Sequence, residues 1–209
     1  YLPGSSFQEV LDINEIRKAS KWASKIILCI GEEPATEKPS DIDDLLIHQP
    51  QIDLATELSK SGKDIILVMV LARPRIVRDI VKLSKAVLLS NLPGNEGGRA
   101  FASVIAGDYN PSGKLPYSYP IQSGNTWTYY HKSCDEVDNN FGMEGYNPQW
   151  KFGFGLSYTT FESKIKQISQ DTISGGDNLE VIISITNTGN ISGSEVIQLY
   201  VKDCISTLS

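Results

Sequence analysis

The chain has 209 residues, 40% of them hydrophobic, and a formal net charge of −6. That is enough apolar material for one full domain and part of another. The acidic balance carries no basic stripe, which argues against nucleic acid and anionic membrane surfaces, and no run of 18 apolar residues is present to span a bilayer.

The chain opens on Tyr1-Leu2-Pro3-Gly4 with no Met and stops at Ser209 just after an expected strand, so it reads as a fragment cut at both ends. Asp12 to Ser24 reads as a helix: Asp12 caps it, Glu15 completes a capping box, and Ile13, Ile16, Ala19 and Ala23 form an apolar stripe. Lys25 to Ile30 (KIILCI) is a short apolar run typical of a strand covered on both faces, with Cys29 expected to be buried in it. Gly31-Glu32-Glu33-Pro34 ends that strand and opens an acidic loop over 31–47. Gln49 to Ser61 is a second helix, turning Ile52, Leu54, Ala55 and Leu58 inward and stopping at Gly62.

The alternation continues. Asp64 to Val70 is a second buried strand, Arg75 to Leu83 a short helix behind Pro74, and Ala86 to Ser90 a third strand. Pro93-Gly94 is a turn, Asn95 a candidate N-cap for a helix over 95–106, and Gly107 its C′ stop. Strand and helix alternating in this way predict an α/β fold, with a mostly parallel sheet between helices on both sides and function at the carboxyl ends of its strands. Three strands make a thin sheet, in keeping with truncation at the N-terminus.

From 108 to 157 the chain is loop-like and aromatic. After Phe161 the period becomes two: Leu179, Val181, Ile183 and Ile185 alternate with polar residues, and Val196 to Val201 is a further strand beyond the 187–190 loop. These are the opening strands of an antiparallel β-sandwich too short to close by itself.

Several chemistries are disfavoured. Cys29, Cys134 and Cys204 form neither a CxxC pair nor a metal-ligand spacing, and an odd count makes no disulfide framework. Gly94, Gly97 and Gly98 do not make the GxGxxG phosphate loop, and Glu96 is better explained by the helix macrodipole than by catalysis. His48 and His131 lack a GxSxG nucleophile, and two lone histidines do not suggest zinc; His48 is expected at the surface at a helix start. Trp127, Tyr129, Tyr130 and Trp150 are aromatic enough for sugar stacking, but tacking the long loop onto the sheet is the favoured reading. Carboxylates crowd into residues 32–44, after the first strand. This is either a solvated acidic surface or an acid/base site, in which like charges and burial keep one carboxyl protonated.

Two runs carry more information: PGNEGGRAFASVIAGDYNPSGKLPYSYP at 93–120 and FGFGLSYTTF at 152–161. Both resemble the C-terminal domain of glycoside hydrolase family 3, the β-glucosidase and exo-β-glucanase family. The resemblance implies a truncated α/β three-layer sandwich over 1–120, a connecting segment over 121–160, and the first strands of a fibronectin type III-like domain over 161–209. It implies a retaining exo-β-glycosidase, β-glucosidase in type, acting on terminal non-reducing β-D-glucosyl residues of an oligosaccharide or β-glucoside. No metal or organic cofactor is implied.

Within that pattern Thr36-Glu37 matches the family's acid/base position, making Glu37 the candidate acid/base, with Glu32 and Glu33 as competing assignments. Ser40 stands where related loops often have Gly. The aspartate nucleophile belongs to an N-terminal (β/α)8 barrel missing from this chain, so the chain alone is expected to be inactive. Arg73-Pro74 matches a Gly-Arg-Pro turn with Ala72 replacing the Gly, and Arg73 is expected to pair with a loop carboxylate or carbonyls. Asn91 replaces a frequent Trp. Related enzymes are often periplasmic or secreted. The alternative reading is a non-catalytic carbohydrate-binding or interaction fragment using Trp127 or Trp150.

Overall fold

A computed structural model describes residues 9, 12–33, 37–124 and 147–201. Helix α1 spans Ile13–Trp22, and the Asp12 carboxylate accepts the amides of Asn14 and Glu15 at 3.0 and 3.2 Å, satisfying donors a helix start leaves open. Ile16 and Ser20 are its buried positions, while Ile13 is exposed, so the inward stripe is narrower than the sequence suggested.

Strands β1 (Ile26–Gly31), β2 (Ile65–Val70) and β3 (Ala86–Ser90) form a parallel sheet in that order, in register from Ile26↔Ile65 to Gly31↔Val70 and from Ile66↔Ala86 to Val70↔Ser90. Neighbouring parallel strands need crossover connections, and α2 (Gln49–Ser59) and α3 (Arg78–Val81) supply them. Leu54, Ala55 and Ile80 from these helices, with Ile16 of α1, join Leu28, Leu67 and Met69 of the sheet in one core.

Only alternate residues of β1 enter that core. Ile26, Leu28 and Ile30 are buried, whereas Ile27 is 54% exposed and Cys29 is exposed. The expectation of a strand covered on both faces, with a buried cysteine, therefore fails. A run of apolar residues cannot report that, in an edge position, one pleat face meets helices and the other does not.

Two further boundaries move. Helix α3 is four residues long rather than 75–83, because the Ile76 amide donates to the Leu45 carbonyl and its carbonyl accepts from Ile47, in a parallel bridge between Leu46 and Ile76. Helix α4 spans Gly97–Ala106 with Glu96, not Asn95, at the N-cap and no side-chain cap bond. Gly107 ends it at φ 86°, as expected of a C′ glycine.

Beyond residue 150, β4 (Phe161–Ile168) and β5 (Val181–Asn187) pair antiparallel, with a bulge between Ile165 and Gln167. Val196 to Val201 is not a strand, correcting the sequence reading. Gln198 of this segment instead donates to the Gly153 carbonyl of the connecting segment, and the preceding Glu195 pairs with Lys114.

Candidate active site

β1 delivers the acidic loop at its carboxyl end, where parallel sheets present ligands. Gly31 is held there by Gln51 of α2, whose Oε1 accepts the Gly31 amide at 2.9 Å and whose Nε2 donates to the Gly31 carbonyl at 2.8 Å. A Cβ on Gly31 would lie 2.7 Å from the Val70 carbonyl oxygen, so glycine is required where the two strands meet.

Glu32 follows, with only 4% of its side chain exposed. Its Oε1 accepts the Arg73 backbone amide at 3.1 Å; its Oε2 accepts Arg73 Nε at 3.1 Å and lies 3.5 Å from Arg75 Nη1. Arg73 Nη1 donates to the Ser40 carbonyl at 2.8 Å. Arg73 thus pairs with a loop carboxylate and a carbonyl, as the sequence suggested. Arg75 is buried as well, bonds the Leu46 carbonyl, and leaves its Nε without a hydrogen-bond partner. Burial pulls its ionisation down from the ordinary arginine value, and the Glu32 charge opposes that pull.

Glu37 sits at the N-cap of a 3₁₀ turn, Lys38–Ser40, with its residue exposed and its side chain making no cap bond. Its backbone is at φ 59° and ψ −170°, the one positive φ among described non-glycine residues. That region is nearly glycine-only, and a residue with a Cβ held there carries about 1–3 kcal/mol of strain. Glu33 is exposed. The three candidate carboxylates therefore have different environments: Glu32 is locked between two guanidinium groups, while Glu33 and Glu37 face solvent. Thr36 lies outside the described residues.

Asp44, further along the loop, accepts the Leu46 amide at 3.0 Å and the Ser123 hydroxyl, and these bonds, Ser123 first, hold its carboxyl below the usual range. His48 sits at the N-cap of α2, the helix start expected of it, and is half-buried there.

Trp150 packs edge-to-face on the fully buried Tyr119, ring centroids 5.0 Å apart, and the two residues form an antiparallel bridge. The Tyr119 hydroxyl donates to the Arg75 carbonyl at 2.7 Å. Trp150 thus fastens the connecting segment to the α/β core, as favoured above. Trp127, Tyr129, Tyr130, His131, Cys134 and Cys204 lie outside the described residues.

The two motif runs meet each other. Leu115 N–H donates to Phe154 O and Gly153 N–H to Leu115 O, so 113–115 and 153–155 lie side by side. Asn110 is the hub: its Oδ1 accepts Ser157 Oγ at 2.8 Å and the Tyr158 amide at 2.7 Å, and its Nδ2 donates to the Ser192 carbonyl at 3.0 Å. Lys114 Nζ donates to the Gly155 carbonyl at 2.9 Å, and a Cβ on Gly155 would lie 2.1 Å from Gly113 O. The residues of the two runs around Asn110, Lys114 and Gly155 thus form a clasp, distant in sequence from the carboxylate loop.

Sequence reasoning missed Gln51, Arg75 and Asn110. For Arg75 the signal was present: an arginine between Pro74 and the apolar Ile76-Val77 can enter a core only with a charged partner.

Comparison with known proteins places these features. A family model described as "Glycosyl hydrolase family 3 C-terminal domain" matches residues 6–158. A lysosomal beta glucosidase of Dictyostelium discoideum is 36% identical over 203 residues, covering 91% of this chain and 24% of that protein. A periplasmic beta-glucosidase of Salmonella typhimurium is 33% identical, covering 94% of this chain and 27% of its own. The crystal structure of a beta-glucosidase from Listeria innocua in complex with isofagomine superposes with a TM-score of 0.81 at 27% identity, over 91% of this chain and 28% of that one. The chain spans about a quarter of the length of the relatives it matches.

Proposed function

The chain belongs to the glycoside hydrolase family 3 C-terminal domain family, and from that premise we propose that it is the part of a retaining exo-β-glycosidase that supplies the acid/base carboxylate. Glu37 is that residue, and the substrate is a glycoside with a terminal non-reducing β-D-glucosyl residue. The observation that supports Glu37 over its neighbour is the burial of Glu32 between Arg73 and Arg75. Both Glu32 oxygens are engaged by Arg73 and Arg75, so that carboxyl is not free to reach a leaving oxygen, whereas Glu37 is exposed on the same loop. Trp150, turned onto Tyr119, speaks against the alternative of a sugar-stacking fragment.

In the proposed reaction an aspartate outside these 209 residues attacks the anomeric carbon while Glu37 gives its proton to the departing glycosidic oxygen. The glycosyl–enzyme ester is then opened by a water that Glu37, now a carboxylate, deprotonates, returning the glutamate to its acid form. The two carboxyl groups of a retaining pair lie roughly 5–5.5 Å apart, so the loop must lean over a barrel domain that carries the aspartate. The isolated chain is inactive on this reading, and an exported compartment suits it, since one relative is named as periplasmic.

The experiment is Glu37→Ala in the full-length enzyme, assayed on a nitrophenyl β-glucoside and on a β-linked disaccharide, with and without azide. Disaccharide cleavage collapses, glycosylation by the activated substrate is far less affected, and azide restores turnover as a glycosyl azide. Near wild-type rates on both substrates would overturn the assignment and pass it to Glu33 or Glu32.

A further inference from the structure

We propose that Arg73 is a positioning residue for the acid/base step: it ties together the two feet of the loop that carries Glu37. The inference rests on the assignment of Glu37 above. One guanidinium bonds both ends of the loop, Nε to Glu32 Oε2 at 3.1 Å and Nη1 to the Ser40 carbonyl at 2.8 Å, while the Arg73 backbone amide takes Glu32 Oε1 at 3.1 Å. The chain leaves this side chain at Glu32 and returns to it at Ser40, with Glu37 between.

The anchor is rigid. Glu32 is buried and has Arg75 Nη1 3.5 Å away; Arg75 is fixed by the Leu46 carbonyl, and its own carbonyl by the Tyr119 hydroxyl. Beyond it, backbone bonds among the described residues shape the loop. The Ser40 amide donates to Glu37 O at 3.0 Å and the Asp41 amide to Lys38 O at 3.1 Å, making one 3₁₀ turn. Glu37 holds φ 59°, a conformation that persists only where the surroundings over-determine it. The Ser40 end of that turn is what Arg73 grips. Removing the grip loosens the Ser40 end of the turn, lets the Glu37 backbone relax toward an ordinary conformation, and moves the carboxyl off the leaving oxygen. General acid transfer needs heavy atoms within hydrogen-bond reach, and a misplacement of about 1 Å can cost on the order of 100-fold.

A positioning role differs measurably from a structural or a sugar-binding one, because the loss scales with how much the leaving group needs a proton. The test uses the full-length enzyme with Arg73→Met, Arg73→Lys, Glu37→Ala and the double variant Arg73→Met/Glu37→Ala. Each is assayed on aryl β-glucosides of graded leaving-group pKa and on a β-linked disaccharide. We expect kcat/KM of Arg73→Met to fall roughly 10- to 100-fold on the disaccharide and less than about 3-fold on the dinitrophenyl glucoside. In the Glu37→Ala background the same change costs nothing further, since two residues that act through one group are non-additive. Lysine keeps a charge beside Glu32 but cannot fork to Ser40 as well, so Arg73→Lys shows the same leaving-group dependence even if Arg73→Met fails to fold.

An equal loss on every substrate, a rise in KM alone, or a full additional loss in the Glu37→Ala background would overturn the positioning role while leaving Glu37 in place. If Glu37→Ala itself shows neither leaving-group dependence nor azide rescue, it is the acid/base assignment that has failed.

Discussion

Asn110 is the residue whose removal should most directly test the clasp between the two motif runs. Replacing it with Ala deletes the bonds from Ser157 Oγ and the Tyr158 amide and the bond to the Ser192 carbonyl. Each hydrogen bond is worth about 0.5–1.5 kcal/mol net, and partial exposure favours the lower half, giving about 2 kcal/mol in all. That is about a 30-fold increase in local opening of the clasp. Asn110→Asp separates the two sides: the carboxylate still accepts from Ser157 and Tyr158 but turns an oxygen toward the Ser192 carbonyl. Gly193→Ala attacks the same side sterically, since its Cβ would lie 2.5 Å from Asn110 Nδ2. Hydrogen exchange reads the outcome at two amides, Tyr158 and Thr188, the latter bonded to Thr160 O at 2.8 Å. Asn110→Ala should weaken protection at both, whereas Asn110→Asp and Gly193→Ala should weaken Thr188 and spare Tyr158. The reasoning is refuted if Asn110→Ala changes stability by less than about 0.5 kcal/mol, the scatter of neutral surface substitutions, or if Asn110→Asp exposes both amides equally.

Gly31→Ala should destabilise by about 1–3 kcal/mol, because the new Cβ meets backbone, the Val70 carbonyl, that a side-chain rotation cannot move; a denaturation midpoint equal to wild type would contradict this. Tyr119→Phe keeps the ring on Trp150 and leaves the Arg75 carbonyl without its donor, costing about 1–3 kcal/mol in urea titrations. Burial, then the Tyr117 and Glu32 charges, push the Tyr119 hydroxyl above its ordinary 10.0, so the fold favours the neutral form. The stability this confers is complete below that value and drains away as pH rises through the folded-state value; Tyr119→Phe should flatten this alkaline limb, and an unchanged limb would count against it. Glu57 runs the other way: hydrogen bonds from Arg17 and then Lys60 hold its carboxyl at about 2 against an ordinary 4.5. Its contribution is present above 4.5 and is lost as pH falls toward 2, so Glu57→Gln should be less acid-sensitive than wild type in a pH series of thermal melts.

Much of this chain is legible locally. Asp12 has a carboxylate that reaches two helix amides, Gly107 accepts a left-handed turn, and the alternation of strand and helix makes parallel pairing the natural outcome. Arg73 was readable too, since a guanidinium beside a carboxylate-rich loop finds a partner in it. Cys29 was misread because an apolar run states what a strand can bury, not which of its two faces is covered. Glu32 and Glu37 are alike as letters. Only the return of the chain at Arg73 and Arg75 buries one and leaves the other free to face solvent. The clasp is the clearest case: Asn110 and Ser192 are 82 residues apart, and Lys114 and Gly155 are 41 apart. Periodicity, capping and turn chemistry act over a few residues, so they set where elements begin and end. Which polar group meets which across such separations depends on how packed elements close on one another, and that is decided only by the tertiary structure.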